Sequence, residues 1–137
     1  MAQYHFHAAI VQRSTGQSAV ASAAYRAGER IHDERIGKDF DYRRRWGVLH
    51  TQIMTTDNAL DWMHDRSQLW NAVEKSETRK DSQLARSLDI SLMSELSFEK
   101  NLELLRGFVQ EYFVDKGMIA DIAIHEPGYD SDQRNPT

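Results

Sequence analysis

Residues 16–30, GQSAVASAAYRAGER, constrain the fold of this chain more than any other stretch. Gly16 and Gln17 make a turn, Ser18 is a residue type that caps helix N-termini, and the alanine-rich run after it predicts a helix over residues 19–30. Small side chains let a second surface approach the backbone of such a helix. One phenol, Tyr25, stands among them, with Arg26 and Arg30 close behind.

The flanking patterns place this helix in a mixed fold. Residues 3–13 alternate Tyr4, Phe6, Ala8 and Ile10 with His5, His7, Ala9 and Val11, the period of a strand with one buried face and two imidazoles on the other. Residues 32–46 mix charges and aromatics without a period and read as a loop or short hairpin around Gly37. GVLHTQIM, residues 47–54, suits a second strand. Two helical patterns follow over residues 59–64 and 66–79, the latter with Leu69, Trp70, Val73 and Glu77 on one face and its edge. Residues 82–93 alternate like a strand, Ser97 caps a helix carrying Phe98, Leu102, Leu105, Val109, Tyr112 and Phe113 that Gly117 stops, and MIADIAIHEP is a last strand ending at Pro127. The order β-α-β-α-β-α-β lacks the glycine-rich phosphate turns of a nucleotide-binding βαβ fold. An α+β domain with a largely antiparallel sheet is expected.

Composition narrows the setting. A chain of 137 residues with 40% hydrophobic content has material for one core, so a single domain or a piece of one is expected over residues 1–137. The absence of cysteine excludes disulfides and thiolate metal sites, leaving His, Asp and Glu as the ligands for any metal. No apolar run is long enough to span a membrane and the N-terminus lacks a signal-peptide pattern, so a cytoplasmic protein with no membrane partner is expected. The net charge of −4 argues mildly against nucleic acid, yet Arg26, Arg30, Arg35, Lys38 and Arg43–Arg44–Arg45 gather basic charge in one part of the chain. A solvated charged loop would leave the same trace.

Five positions hold residue types that do chemistry. A phenol is a nucleophile that forms esters with phosphate, and Arg26 and Arg30 are the cations a phosphodiester needs beside it. By its local residues alone, Tyr25 reads first as a half-buried packing residue with a wet hydroxyl. His125, near the end of ADIAIHEP, is a metal-ligand type, but standing alone it reads first as a satisfied edge residue of a strand. Asp89 is the one acid in its alternating run and would orient a ligating imidazole if a metal lay near it. His5 and His7, two apart on one strand face, have chelating spacing but read first as a polar sheet face.

Taken in order, QYHF, GQSAVASAAYRAGER, a DER element followed by Gly37–Lys38 and Asp41–Tyr42, GVLHTQIM, LWNAVEKSE, RKDSQLARSLDISL, FVQEYFVDKGMIADIAIHEP and a terminal Asn135–Pro136 resemble the N-terminal relaxase domain of the MobA/MobL family. The resemblance covers essentially the whole chain. It implies a relaxase-like α+β fold with helices packed on one face of the sheet, and a nicking enzyme of plasmid mobilisation and conjugation. Tyr25 then falls at the family's nucleophile, which attacks a scissile phosphodiester at the origin of transfer and leaves a 5′-phosphotyrosyl intermediate and a free 3′-hydroxyl. An unperturbed phenol ionises near pH 10, so a divalent metal, Mg²⁺ or Mn²⁺, or a cationic surround is expected to assist. His125 takes the place of the first metal ligand and Asp89 of a supporting acid. Arg26 and Arg30 become phosphate partners, and Arg43, Arg44 and Arg45 with Tyr42 and Trp46 a track for single-stranded origin DNA. Other relaxosome proteins are the further partners implied.

Two departures from the family pattern shape the expectation. After Asn135–Pro136 the sequence stops at Thr137, without the His-x-His strand that completes the ligand set, and Ser87 stands where the family tends to carry an acid two residues before Asp89. The chain is therefore expected to be a truncated domain missing a final sheet strand, inactive or nearly so in this form. The alternative expectation is a non-catalytic module that binds single-stranded DNA or pairs with a full-length relaxase.

Overall fold

The fold comes from a computed structural model, which describes residues 6–126. Nine regular elements follow one another: β1 (Phe6–Gln12), α1 (Ala19–Ala27), β2 (Arg30–Asp33), β3 (Lys38–Asp41), β4 (Val48–Met54), α2 (Arg66–Ser76), β5 (Gln83–Ile90), α3 (Phe98–Tyr112) and β6 (Ala120–His125). Among the described residues the strands pair two by two, β1 with β5, β2 with β3 and β4 with β6, the last two pairs antiparallel. The fold is α+β, as expected. The chain divides into two compact units: one holds His7–Trp46 and Asp61–Leu88, the other Gly47–Leu60 and the described residues from Asp89 onward.

The first unit is organised around α1. Ser18 caps it, its Oγ accepting from the Ala21 N–H at 3.1 Å, and Ala19, Val20, Ala23, Ala24 and Ala27 form its buried face. Val20, Ala23 and Ala24 pack with Ile31, Phe40, Tyr42 and Trp70, while Ala19 joins Val11, Leu84 and Val73. Alanine is what lets α2 and the β2–β3 hairpin both lie against α1. The helix is shorter than its sequence predicts. Gly28 takes a left-handed conformation (φ 68°) that costs glycine little and turns its N–H back to the Ala24 carbonyl, so the helix ends at Ala27 and Arg30 opens β2. The aperiodic residues 32–46 contain the rest of a real hairpin, with Ile31 opposite Phe40 and Asp33 opposite Lys38.

Other boundaries and faces shift for similar reasons. Residues 61–64 make only a 3-10 turn, and α2 starts on Asp65, whose carboxylate accepts from the Gln68 N–H at 3.0 Å, and stops at Ser76 before Glu77. That backbone hydrogen bond holds the Asp65 carboxyl below its ordinary range. In β1, Phe6 and Ile10 are exposed and Val11 is the buried residue, the reverse of the face expected from alternation. The strand's core contact is made where Val11 meets Ala19 and Leu84. His5 lies outside the described residues.

Ser18 also donates to Asp33 Oδ2 at 2.7 Å, and Asp33 is fully buried. The serine thus ends one helix and satisfies a buried carboxylate at once. Ser18→Ala is expected to cost about 2 kcal/mol, at the upper end for a lost cap. Chemical unfolding checks it: a loss below the resolution of the method would mean that Asp33 is satisfied without the hydroxyl.

In the second unit, β4 and β6 pair with Met54 opposite Ala120 and Val48 opposite His125, with a register shift between Val48 and His50. Ser97 caps α3 and accepts from the Lys100 N–H at 3.1 Å. The buried Asn101 side chain ties the preceding loop to the helix by accepting from the Met93 N–H (3.2 Å) and donating to the Met93 carbonyl (2.8 Å). Arg106 on α3 reaches Gln52 on β4 at 2.8 Å. The helix proper ends at Tyr112, and Gly117 closes the 3-10 turn that follows it.

Candidate active site

Tyr25 stands on the last turn and a half of α1, off its alanine face, with 49% of its surface exposed. Two residues from the far side of the hairpin enclose its ring. Tyr42 meets it edge to face, with ring centroids 5.3 Å apart and planes at 90°. The guanidinium of Arg45 lies over the ring, 4.0 Å from its centroid, and Arg45 Nη1 donates to the Tyr25 carbonyl at 2.6 Å. That carbonyl belongs to the final turn of α1, where backbone acceptors have run out of helical partners and a cation also suits the negative end of the helix. The phenol hydroxyl itself has no hydrogen-bond partner among the described residues.

The enclosing residues are themselves fixed to the backbone. The Tyr42 N–H donates to the Glu29 carbonyl and the Arg45 N–H to the Tyr42 carbonyl, each at 3.0 Å, closing a turn directly over the end of α1. Glu29 in turn accepts from the partly buried Arg66 side chain at 2.7 Å and donates its N–H to the Ala24 carbonyl at 3.0 Å. The ring of Tyr25 is thus held by Tyr42 and Arg45 while about half of the residue stays exposed.

The arginines grouped by sequence have separate fates. Arg26 hydrogen-bonds the Ser87 hydroxyl on β5, so the serine in place of an expected acid meets the cation next to Tyr25. Arg30 pairs with Asp39 across the hairpin at 2.8 Å, and this bond, with a second from His32, holds the Asp39 carboxyl below its ordinary range. Arg43 grips Asp41 through two parallel hydrogen bonds of 2.9 and 2.7 Å, pulling that carboxyl from 3.8 to about 2. Arg44 is exposed and makes no ion pair among the described residues. Arg45 is the one folded onto Tyr25, and Trp46 beside it is 68% exposed. Its place could not be foreseen from a separation of 20 residues; only the closed turn at Tyr42 brings it there.

Asp89 and His125 lie in the second unit, Asp89 half-buried near the end of β5 and His125 half-buried as the last residue of β6. Among the described residues no three His, Cys, Asp or Glu side chains gather where they could hold a metal ion. The ligand set implied by the resemblance is thus not assembled by these residues, and Asn135–Pro136 lie outside them. No described helix is long and apolar enough to cross a membrane.

A family model described as the MobA/MobL family matches residues 17–136. The chain belongs to the MobA/MobL family. This MobA/MobL chain is 44% identical to the conjugal transfer protein TraA of Rhizobium radiobacter and 41% identical to the mobilization protein MobL of Acidithiobacillus ferridurans, over 93% of its length in each case. It spans 13% of the former relative and 33% of the latter. A solved structure described as "Molecular Basis of Vancomycin Resistance Transfer in Staphylococcus aureus" superposes on it with a TM-score of 0.86 at 35% identity, covering 98% of this chain and 66% of that one. The family and the α+β relaxase fold expected from the ordered motifs are borne out.

Proposed function

We propose that this MobA/MobL chain is the tyrosine-bearing part of a relaxase that nicks single-stranded DNA at an origin of transfer. The observation that carries the reading is the half-exposed Tyr25 side chain, whose ring is held by Tyr42 and Arg45 while its hydroxyl has no hydrogen-bond partner among the described residues. A tyrosine kept only for packing has no need of such a frame. In the reaction the phenol oxygen bonds to phosphorus and gives up its proton to solvent or a nearby base. The phosphorus–oxygen bond on the 3′ side breaks, and its oxygen takes a proton to become the free 3′-hydroxyl. One ester replaces another, so the reverse reaction reseals the strand.

The exposed Arg44 and Trp46 offer a cation and a stacking surface to a single strand, while Arg43 is committed to Asp41. The reading keeps a divalent Mg²⁺ or Mn²⁺ requirement with His125 as one donor. Among the described residues no complete ligand set for that ion is gathered. Other relaxosome proteins remain the proposed partners.

The test is incubation with single-stranded origin oligonucleotides and Mn²⁺ or Mg²⁺, using the chain as it stands and the chain fused to the segment that follows this region in a relative. A denaturant-resistant protein–DNA adduct whose formation is blocked by EDTA supports the reading. Oligonucleotide binding without an adduct from either form would favour a non-catalytic binding module.

Asp41→Asn probes the DNA surface. Freeing Arg43 is expected to tighten single-strand binding several-fold at low salt and to steepen the slope of log K against log salt by about 0.7 for one more phosphate contact. Fluorescence anisotropy over a salt series reads this directly, and an unchanged slope would place Arg43 away from the DNA.

A further inference from the structure

We propose that Arg45 is a positioning residue for Tyr25, holding the phenol ring at one setting on the end of α1 so that its oxygen is presented to phosphorus. The proposal rests on reading Tyr25 as the nucleophile. A tyrosine half out of a helix surface has two free side-chain torsions, and a reacting oxygen displaced by about 1 Å loses on the order of 100-fold in rate. Three contacts restrict Arg45 itself: its N–H on the Tyr42 carbonyl (3.0 Å), its Nη1 on the Tyr25 carbonyl (2.6 Å) and its guanidinium plane over the Tyr25 ring (4.0 Å). Because one end of the same guanidinium is tied to the backbone of Tyr25, the cover cannot slide away from the residue it covers. Tyr42, seated against Val20, Ala23, Ala24 and Ile31, makes a further edge contact with the same ring. A phosphate contact would leave Arg45 directed at solvent, as Arg44 is. Planarity matters here as much as charge, since a lysine ammonium cannot lie flat on a ring and bond the carbonyl together.

The experiment compares Arg45→Ala and Arg45→Lys with the unaltered protein, in the form that yields the Tyr25 adduct. It measures the single-turnover rate of adduct formation at saturating oligonucleotide, the Kd for that oligonucleotide and the mobility of ¹³C-labelled tyrosine rings in the free protein. The expected result is a rate lowered about 10- to 100-fold in both variants. Kd should stay within about twofold for Arg45→Lys, which keeps the charge, and the Tyr25 ring should be visibly more mobile in Arg45→Ala. A saturated rate equal to that of the unaltered protein overturns the proposal, as does a Tyr25 ring no more mobile without Arg45. A rate that recovers fully at saturating DNA while Kd weakens also overturns it and makes Arg45 a phosphate contact. Failure of the underlying reading looks different: Tyr25→Phe still forms an adduct, or no form of the unaltered protein does, and the proposal falls with it.

Discussion

Tyr25→Phe is expected to abolish the denaturant-resistant protein–DNA adduct while leaving the fold and the affinity for oligonucleotide in place. The substitution removes one oxygen and keeps the ring, so the edge contact with Tyr42 and the cover by Arg45 both survive. Because the hydroxyl has no partner among the described residues, its loss breaks no hydrogen bond there, and thermal stability should change by less than about 0.5 kcal/mol, as at an ordinary surface site. Loss of a covalent nucleophile lowers turnover on the order of 10⁶-fold, far below what a gel resolves. An adduct that persists in Tyr25→Phe would move the nucleophile elsewhere and reduce Tyr25 to a packing residue.

Glu74→Ala is expected to be the most destabilising single change in the first unit. Only 1% of Glu74 is exposed, yet it carries a carboxylate that serves three donors: the Ala19 N–H at 2.7 Å, Arg13 Nη2 at 2.7 Å and Arg35 Nε at 3.0 Å. Helix α1 has no acid of its own in its first turn, so the negative charge that suits its N-terminus is supplied by α2. Arg13 answers from the other direction, donating also to the Glu74 carbonyl at 3.1 Å and to the Glu77 carbonyl at the end of α2. The start of one helix and the finish of another are thereby clamped through one carboxylate that pairs with both Arg13 and Arg35. Removing the carboxylate leaves Arg13, 12% exposed at its side chain, without its counter-charge, and Ala19 without an acceptor. Breaking one side of a buried pair costs about 3 to 5 kcal/mol, or a fall in melting temperature of about 10 to 20 °C. Chemical unfolding and a thermal scan measure it, with Glu74→Gln expected to lose less because an amide oxygen still accepts. A cost for Glu74→Ala under about 1 kcal/mol would mean that the clamp is dispensable.

Some of this organisation is local and could be read off the chain. The Ser18 cap, the alanine face of α1 and the Ser97 start of α3 depend on neighbours within a few positions and are present where the sequence puts them, while the strand expected over residues 82–93 forms over the shorter span Gln83–Ile90. The family was legible for a related reason: eight short motifs in a fixed order record many local solutions at once. Tyr25 stood out because a lone phenol among alanines is uncommon on a helix with so little else to offer chemistry.

What only the tertiary structure decided is where the charges go. Six arginines that form one basic stretch in the sequence have different fates: Arg26 on Ser87, Arg30 on Asp39, Arg35 on Glu74, Arg43 on Asp41, Arg45 on Tyr25, and Arg44 exposed with no ion pair among the described residues. Similarly, the buried side of α2 is Leu69 with the polar Asn71 and Glu74, which hydrophobic periodicity passes over because it scores polar residues as outward. A long charged side chain is directed by whichever acceptor or ring the fold brings within reach, and such partners lie from 2 to 66 residues away among the described residues. The sequence by itself therefore determined the elements, the family and the phenol, because those follow from short-range preference and ordered motifs. The frame around that phenol was decided by the turn from Tyr42 to Arg45, a long-range contact that no local pattern encodes.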